Sequence, residues 1–261
     1  MKLETLSNKP DLTRRHFNTS LLGSVFTFSL VETLFSHDAL AKPIRAEVKY
    51  WLAEVEEASR AMQKQKLKQI EWQQKIAEIF SRVEQKDLLR SLDFDRISKQ
   101  MKIVGSQEAV SETLPKHIEG MPKELSFSTY IYGMKKSGVI PPHCHQNMTS
   151  MHMPIGGGLH AWHFDRVADE ANHLIIKPTM DKTLTLGEVT TVSDEKDNVH
   201  WFKPTSDVAY TFNILVVEID PTKKSTGRQF YLDAAHGEKT DSDKLRVKKL
   251  NSKDAYRIYG K

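Results

Sequence analysis

Val139–Asp165 reads VIPPHCHQNMTSMHMPIGGGLHAWHFD, and its opening His143-Cys144-His145 decides how the chain is read. Side chains on a β-strand alternate faces with a period of two. His143 and His145 therefore point to one side and Cys144 to the other. Two imidazoles on one face, two residues of strand rise apart, can chelate one metal ion. Pro141 and Pro142 fix the entry to the strand. The run Gly156-Gly157-Gly158 marks a turn, and Leu159 to Asp165 reads as the returning strand. The pattern is that of a metal site inside a small β-barrel.

Outward from this stretch, the chain of 261 residues suits one sizeable domain with appendages. A formal net charge of +4 is too small to point to nucleic acid. Cys144 is the single cysteine, so there is neither an internal disulfide nor a zinc knuckle, and histidine must carry any metal chemistry. At the start, Thr13-Arg14-Arg15-His16-Phe17 precedes an apolar run, Leu21 to Val31, and Ala39-Leu40-Ala41 follows. This order of charged, apolar and small residues is expected to be a secretory signal over 1–41, with the mature chain starting at Lys42. The paired arginines give it a twin-arginine look and imply the twin-arginine export machinery as a partner. The alternative is an N-terminal membrane anchor, but the run is about half of the roughly 20 residues a spanning helix needs. No membrane span is expected after signal removal. A bacterial, periplasmic or secreted destination follows. Folding before export would let the site fill with a weakly competing metal, away from copper and zinc.

Residues 42–115 are expected to be a helical segment. Trp51, Val55, Ala58 and Met62, then Trp72, Ile76, Ile79, Phe80 and Val83, recur at helical spacing. Gln85 to Asp87 is expected to break the helix before a further short one through Leu88, Leu92 and Ile97. The basic run Lys64 to Lys68 reads as a solvated face. Two or three helices packed outside a β domain are expected; a partner-binding helical pair is the alternative. Residues 116–261 are expected to be the β domain. Strands are read at Ser126–Met134, Val139–His145, Leu159–Asp165, Leu174–Lys177, Thr183–Val192, Val208–Ile219 and Gln229–Leu232, bounded by Gly, Pro, Asp and Asn. Short strands so spaced, with His-x-His on one of them, match a cupin-type jelly roll. The fold class is thus mainly β, a jelly-roll barrel preceded by a helical segment.

Metal sites with open positions commonly use three protein ligands. His200, in Asn198-Val199-His200-Trp201-Phe202, is the candidate third, since a strand about 55 residues later can return beside the first pair. His152, His160 and His163 are less well placed, because at least some must face away. Many cupins carry a glutamate four or five residues after the histidine pair; here Thr149 and Ser150 stand there. A three-histidine site without a charged protein ligand remains, which suits an anionic thiolate and oxygen together.

Ser137-Gly138-Val139-Ile140-Pro141-Pro142-His143-Cys144-His145-Gln146-Asn147-Met148 resembles the first metal motif of the cysteamine dioxygenase and plant cysteine oxidase family. Gly157, His160 and Asp165 continue the likeness, and Asn198-Val199-His200 matches the second motif. The resemblance covers about residues 125 to 221. It implies Fe(II) held by His143, His145 and His200, and the conversion of a small thiol, or an N-terminal cysteine thiol, to a sulfinic acid with O2. The chain departs from the family at Phe212-Asn213-Ile214-Leu215. Asn213 stands where the family has an acidic residue in the substrate pocket, and the family's following Pro-Pro-Tyr is absent. Asn213 is the candidate catalytic residue; it offers hydrogen bonds but no charge to an ammonium group. Glu218 is a weaker candidate for that charge. Cys144 reads as a small buried hydrophobe, with a redox-sensitive thiol or crosslink as the alternative. Two other functions stay open: a different metal-dependent cupin oxygenase, and a non-enzymatic metal- or ligand-binding barrel.

Overall fold

The computed structural model describes residues 46–114, 122–240 and 243–260; the leader expected over 1–41 lies outside them. Helices come first: α1 (Ala46–Gln63), α2 (Gln69–Ser81), α3 (Gln85–Ser91) and α4 (Phe94–Gln100). Twelve strands follow, and α5 (Ser252–Tyr259) comes last. One five-stranded sheet has the order β1 (Ala109–Glu112), β2 (Ser128–Lys135), β9 (Val208–Val217), β4 (Met148–Gly156), β7 (Thr190–Val192). The second, seven-stranded, has the order β10 (Phe230–Leu232), β3 (Ile140–Cys144), β8 (Val199–Pro204), β5 (Leu159–Asp169), β6 (His173–Leu184), β12 (Leu245–Leu250), β11 (Glu238–Lys239).

The eight strands β2 to β9 carry the topology. Their sheets run β2-β9-β4-β7 and β3-β8-β5-β6, so the chain crosses from one sheet to the other at almost every connection. Two antiparallel sheets interleaved in this way are two Greek keys, a jelly roll of cupin type. The expected fold class is the observed one.

Particular elements differ from the sequence reading, each for a local reason. Lys64 to Lys68 is solvated as expected, and it forms a turn because Gln65 takes a left-handed φ of 56° and ends α1. The next break falls before Gln85, not over Gln85–Asp87: Glu84 is extended and Gln85 opens α3. β1 pairs with β2 through Ala109↔Gly133 and Val110↔Tyr132, so sheet structure begins inside the segment read as helical. Leu174–Lys177 and the start of Thr183–Val192 belong to one long strand, β6, whose hairpin with β5 absorbs two register shifts. β4, β11, β12 and α5 fall where the sequence reading places no element.

The helices cover the outer face of the first sheet. Trp51, Trp72, Ile76 and Phe80 form one buried cluster with Met151, Met153, Phe212 and Ile214 of β4 and β9. The Trp51 ring lies 5.4 Å from that of Phe80 and 6.0 Å from that of Phe212, so it joins both helical layers to the sheet. On the second sheet, Cys144, Phe164, Leu174, Val199, Leu232 and Val247 form a separate outer cluster. Among the described residues no helix is long and apolar enough to cross a membrane.

Trp51→Ala removes a buried ring from the helix–sheet seam. It is expected to lower the unfolding free energy by about 3–5 kcal/mol, read as a lower urea midpoint with the folded far-ultraviolet spectrum retained.

Candidate metal centre

His143 and His200 are directly paired across β3 and β8, and His200 is paired in turn with His163 across β8 and β5. Directly opposed residues of an antiparallel pair share a face. The register therefore sets three imidazoles in one row on the inner face of the second sheet. His145, two residues beyond His143, joins them. The ring centroids lie 4.3 Å apart for His143 and His200, 4.7 Å for His143 and His145, and 5.2 Å for His145 and His200. One ligand nitrogen from each of these three buried residues lies within 4.8 Å of the other two, a grouping that can hold a metal ion.

The outer nitrogen of each ring is fixed by backbone. His143 Nδ1 lies 2.7 Å from the Pro141 carbonyl, His145 Nδ1 2.6 Å from that of Gly227, and His200 Nδ1 3.3 Å from that of Asn198. A carbonyl only accepts, so each Nδ1 carries the proton and each Nε2 keeps a lone pair. Burial, with Arg228 and His145 adding to it, holds His143 well below the usual imidazole range. Burial pushes His145 down to about 4, and burial with the neighbouring histidines holds His200 well below its ordinary value. All three are therefore neutral at pH 7. The Nε2 atoms of His143 and His145 then face each other at 3.1 Å with no proton to share. Two converging lone pairs in a dry interior repel unless a cation sits against them. The donor set thus fits a divalent transition metal, and the carbonyl bonds on Nδ1 are the supports that metal-bound histidines typically have.

Asn198-Val199-His200 has a structural logic. The Asn198 amide donates to the carbonyls of His145 and Ser193, tying the end of β3 to the turn before β8. The Asn198 carbonyl orients the ring of His200. Gly157 takes φ +73°, and a Cβ there would lie 2.0 Å from the Val208 carbonyl, so only glycine fits. His160 faces outward and bonds Asp181 and Thr183. Cys144 packs in the outer cluster, and burial pushes its thiol up to about 11, which leaves it inert rather than redox-active.

A small cavity of about 40 Å³, open at its mouth, lies against the histidines. Tyr132, Met148, Ser150, His152, Asn213 and Arg228 contribute to its wall. Asn213, on β9 opposite His152 of β4, is 3% exposed, and its Oδ1 has no partner among the described residues. Glu218 does not line the cavity; it is an exposed residue just past β9. His163 is fully buried with neither ring nitrogen bonded, and burial pushes it down to about 3. Sequence reasoning missed Arg228 and set His152 aside. Neither has a motif: His152 is placed by the register of β4 on β9, and Arg228 by a loop.

No protein-family model matches the chain, and no curated protein matches it in sequence. Among solved structures it is similar to oxalate oxidase, at 20% identity over 44% of this chain and 53% of that one, with a TM-score of 0.33. The match thus spans about half the length of the oxalate oxidase chain. KdgF from Halomonas sp. is similar at 9% identity over 48% of this chain and 91% of that one, with a TM-score of 0.33. The vicilin of Solanum melongena matches at 12% identity over 46% of this chain and 31% of that one, with a TM-score of 0.35. These are likenesses of fold alone. The strand order, not these scores, establishes the jelly roll.

The neutral histidines generate a pH prediction for the metal-free protein. The unfolded chain protonates His145 near 6.5, whereas the folded chain refuses that proton until about 4. Stability is therefore expected to fall as pH drops through that interval, and to go on falling below it because His163, His143 and His200 stay neutral in the folded chain to lower pH still. Thermal midpoints of chelator-treated protein at pH 7.5, 6 and 4.5 check this. Added Zn(II) should raise the midpoint at pH 7.5, less so at pH 5, and not at all in His200→Ala.

Proposed function

We propose that the protein is a non-haem iron(II) thiol dioxygenase that converts a small thiol, or the thiol of an N-terminal cysteine, to a sulfinic acid. The observation that carries this is a centre of three neutral imidazoles with no carboxylate among its possible ligands, facing a cavity. Fe(II), held by His143, His145 and His200, would supply neighbouring positions for a thiolate and O2. In the overall reaction RSH + O2 gives RSO2H: both oxygen atoms join sulfur, which is oxidised as O2 is reduced.

The chain's own residues supply position and environment. The Pro141, Gly227 and Asn198 carbonyls hold the imidazoles in one tautomer, with Nε2 toward the centre. Asn213 offers an unpaired buried oxygen to a donor on the substrate. Ile140, Met148, Phe202 and Leu215 line the same wall and keep it poor in water. A barrel with a polar metal-facing side and an apolar remainder is suited to a small reactant carrying one polar end. The same reading includes export of the folded, metal-loaded chain through the twin-arginine route to the periplasm or beyond, directed by Arg14 and Arg15.

The test is anaerobic loading with Fe(II), followed by oxygen uptake with cysteamine, cysteine, 3-mercaptopropionate and a peptide with N-terminal cysteine. Uptake matched by sulfinate in mass spectrometry is expected, and is expected to vanish in His200→Ala together with the bound iron. Asn213→Ala should keep its iron and lose about tenfold in kcat/KM, the scale of one buried hydrogen bond. Bound iron with no uptake on any thiol would sink the thiol reading in favour of another oxygenase. Replacing Arg14 and Arg15 by lysine should leave the precursor in the cytoplasmic fraction.

A further inference from the structure

Arg228 is the charged side chain in the cavity wall, and no carboxylate lines that wall. It comes from the loop between β9 and β10. Its chain neighbour, Gly227, supplies the carbonyl that orients His145, so the loop that steadies a metal ligand also places the guanidinium. The guanidinium itself is anchored. Nη1 donates to the hydroxyls of Tyr231 at 3.3 Å and Tyr256 at 3.0 Å, and Nη2 donates to Glu108. The other oxygen of Glu108 accepts from Tyr256 at 2.7 Å. Glu108 is thus engaged on both oxygens and is not part of the cavity wall.

An arginine has five N–H donors. Three bonds are made here, so Nε–H and one Nη2 hydrogen have no partner among the described residues. Tyr132 shares the wall, and its hydroxyl makes no hydrogen bond among the described residues. Burial raises its pKa, which keeps the hydroxyl a donor. A side chain anchored on three sides, one of them an ion pair with Glu108 behind the wall, with two N–H donors to spare and no carboxylate in the wall itself, is preorganised to receive an anion.

We infer that this cavity recognises a carboxylate on its substrate, received by Arg228 and Tyr132 while the reacting end of the molecule faces His143, His145 and His200. Resting on the thiol dioxygenase reading, this makes the substrate a small thiol carboxylic acid rather than a thiol amine. An ammonium group meets Arg228 as a like charge and finds neutral acceptors but no carboxylate in the wall among the described residues.

The inference is tested on the full chain loaded with Zn(II), so that binding is measured without turnover. Isothermal titration compares 3-mercaptopropionate, its neutral amide and cysteamine, with propionate as a ligand lacking the thiol. The acid is expected to bind about tenfold or more tighter than the amide or the amine. Arg228→Gln should erase that difference while leaving the amide's affinity in place, and Arg228→Lys should restore part of it. The comparison within the wild-type protein holds even if a variant fails to fold. Equal affinities, a preference for cysteamine, no binding of the acid, or an equal loss for every ligand in Arg228→Gln would overturn the inference. Oxygen uptake by the iron form separates the two claims. Arg228-dependent preference for the acid without sulfinate leaves the anion subsite standing and removes the thiol reading. Sulfinate from cysteamine with no preference for the acid does the reverse.

Discussion

Two unprotonated Nε2 atoms 3.1 Å apart in a buried interior are the constraint around which this barrel is arranged. Either nitrogen could relieve the repulsion by taking a proton or by turning its ring. Burial and mutual proximity oppose the proton. The Pro141 and Gly227 carbonyls oppose the turn, because a flipped ring would set a lone pair against a carbonyl oxygen. The remaining relief is a cation. His200 completes the set because β8 lies beside β3 with His143 and His200 in register. A slip of one residue would move His200 to the outer face and put Trp201 or Val199 in its place. The histidine cluster is therefore a statement about sheet register as much as about histidine.

The electrostatics around the centre are unusual for what they omit. Three neutral ligands would leave a divalent ion's charge uncompensated by protein, and the nearby Arg228, paired with Glu108 behind the wall, keeps two N–H donors free. A site in this condition favours anions at its open positions. A thiolate satisfies the metal and a carboxylate satisfies the guanidinium, so one small dianion would neutralise both. The same field disfavours a positively charged molecule. Asn213 fits this pattern, since an acid at that position would have put a negative charge into a wall that has no carboxylate among the described residues.

The histidine pair, the third histidine that joins it and most strands of the barrel were legible in the sequence because each has a local signature. His-x-His has period two, Asn198-Val199-His200 follows a charged turn, and β2, β3, β5 and β9 are bounded by breakers. β4 was not legible. Eight of its nine residues, Met148 to Ile155, are buried, so polar exposure does not alternate along it. Its alternation is of another kind: Ser150 and His152 face the cavity, while Met151 and Met153 pack under the helices. Polar residues facing inward do not read as a strand when polarity is taken to mean solvent. Arg228 was illegible for a different reason. It lies 83 residues after His145 in a loop without a motif, and only the closed barrel brings the two together.

That inverted strand explains why the helical segment is there at all. A jelly roll ordinarily gains its stability from apolar side chains between its two sheets. Around the centre this space is given to histidines, Ser150 and Asn213, which contribute little hydrophobic stabilisation and leave several polar atoms unpaired. The interior is apolar only toward one end, at Met134, Ile140, Leu159, Phe202 and Ala209. The deficit has to be met on the outer faces. On the first sheet it is met by Trp51, Trp72, Ile76 and Phe80 of the helices, packed on Met151, Met153, Phe212 and Ile214. On the second it is met by the cluster that holds Cys144, Phe164 and Val247. The helices are thus the part of the core that a polar cavity displaced to the outside, and the residues that hold the cavity's first sheet in place point away from it.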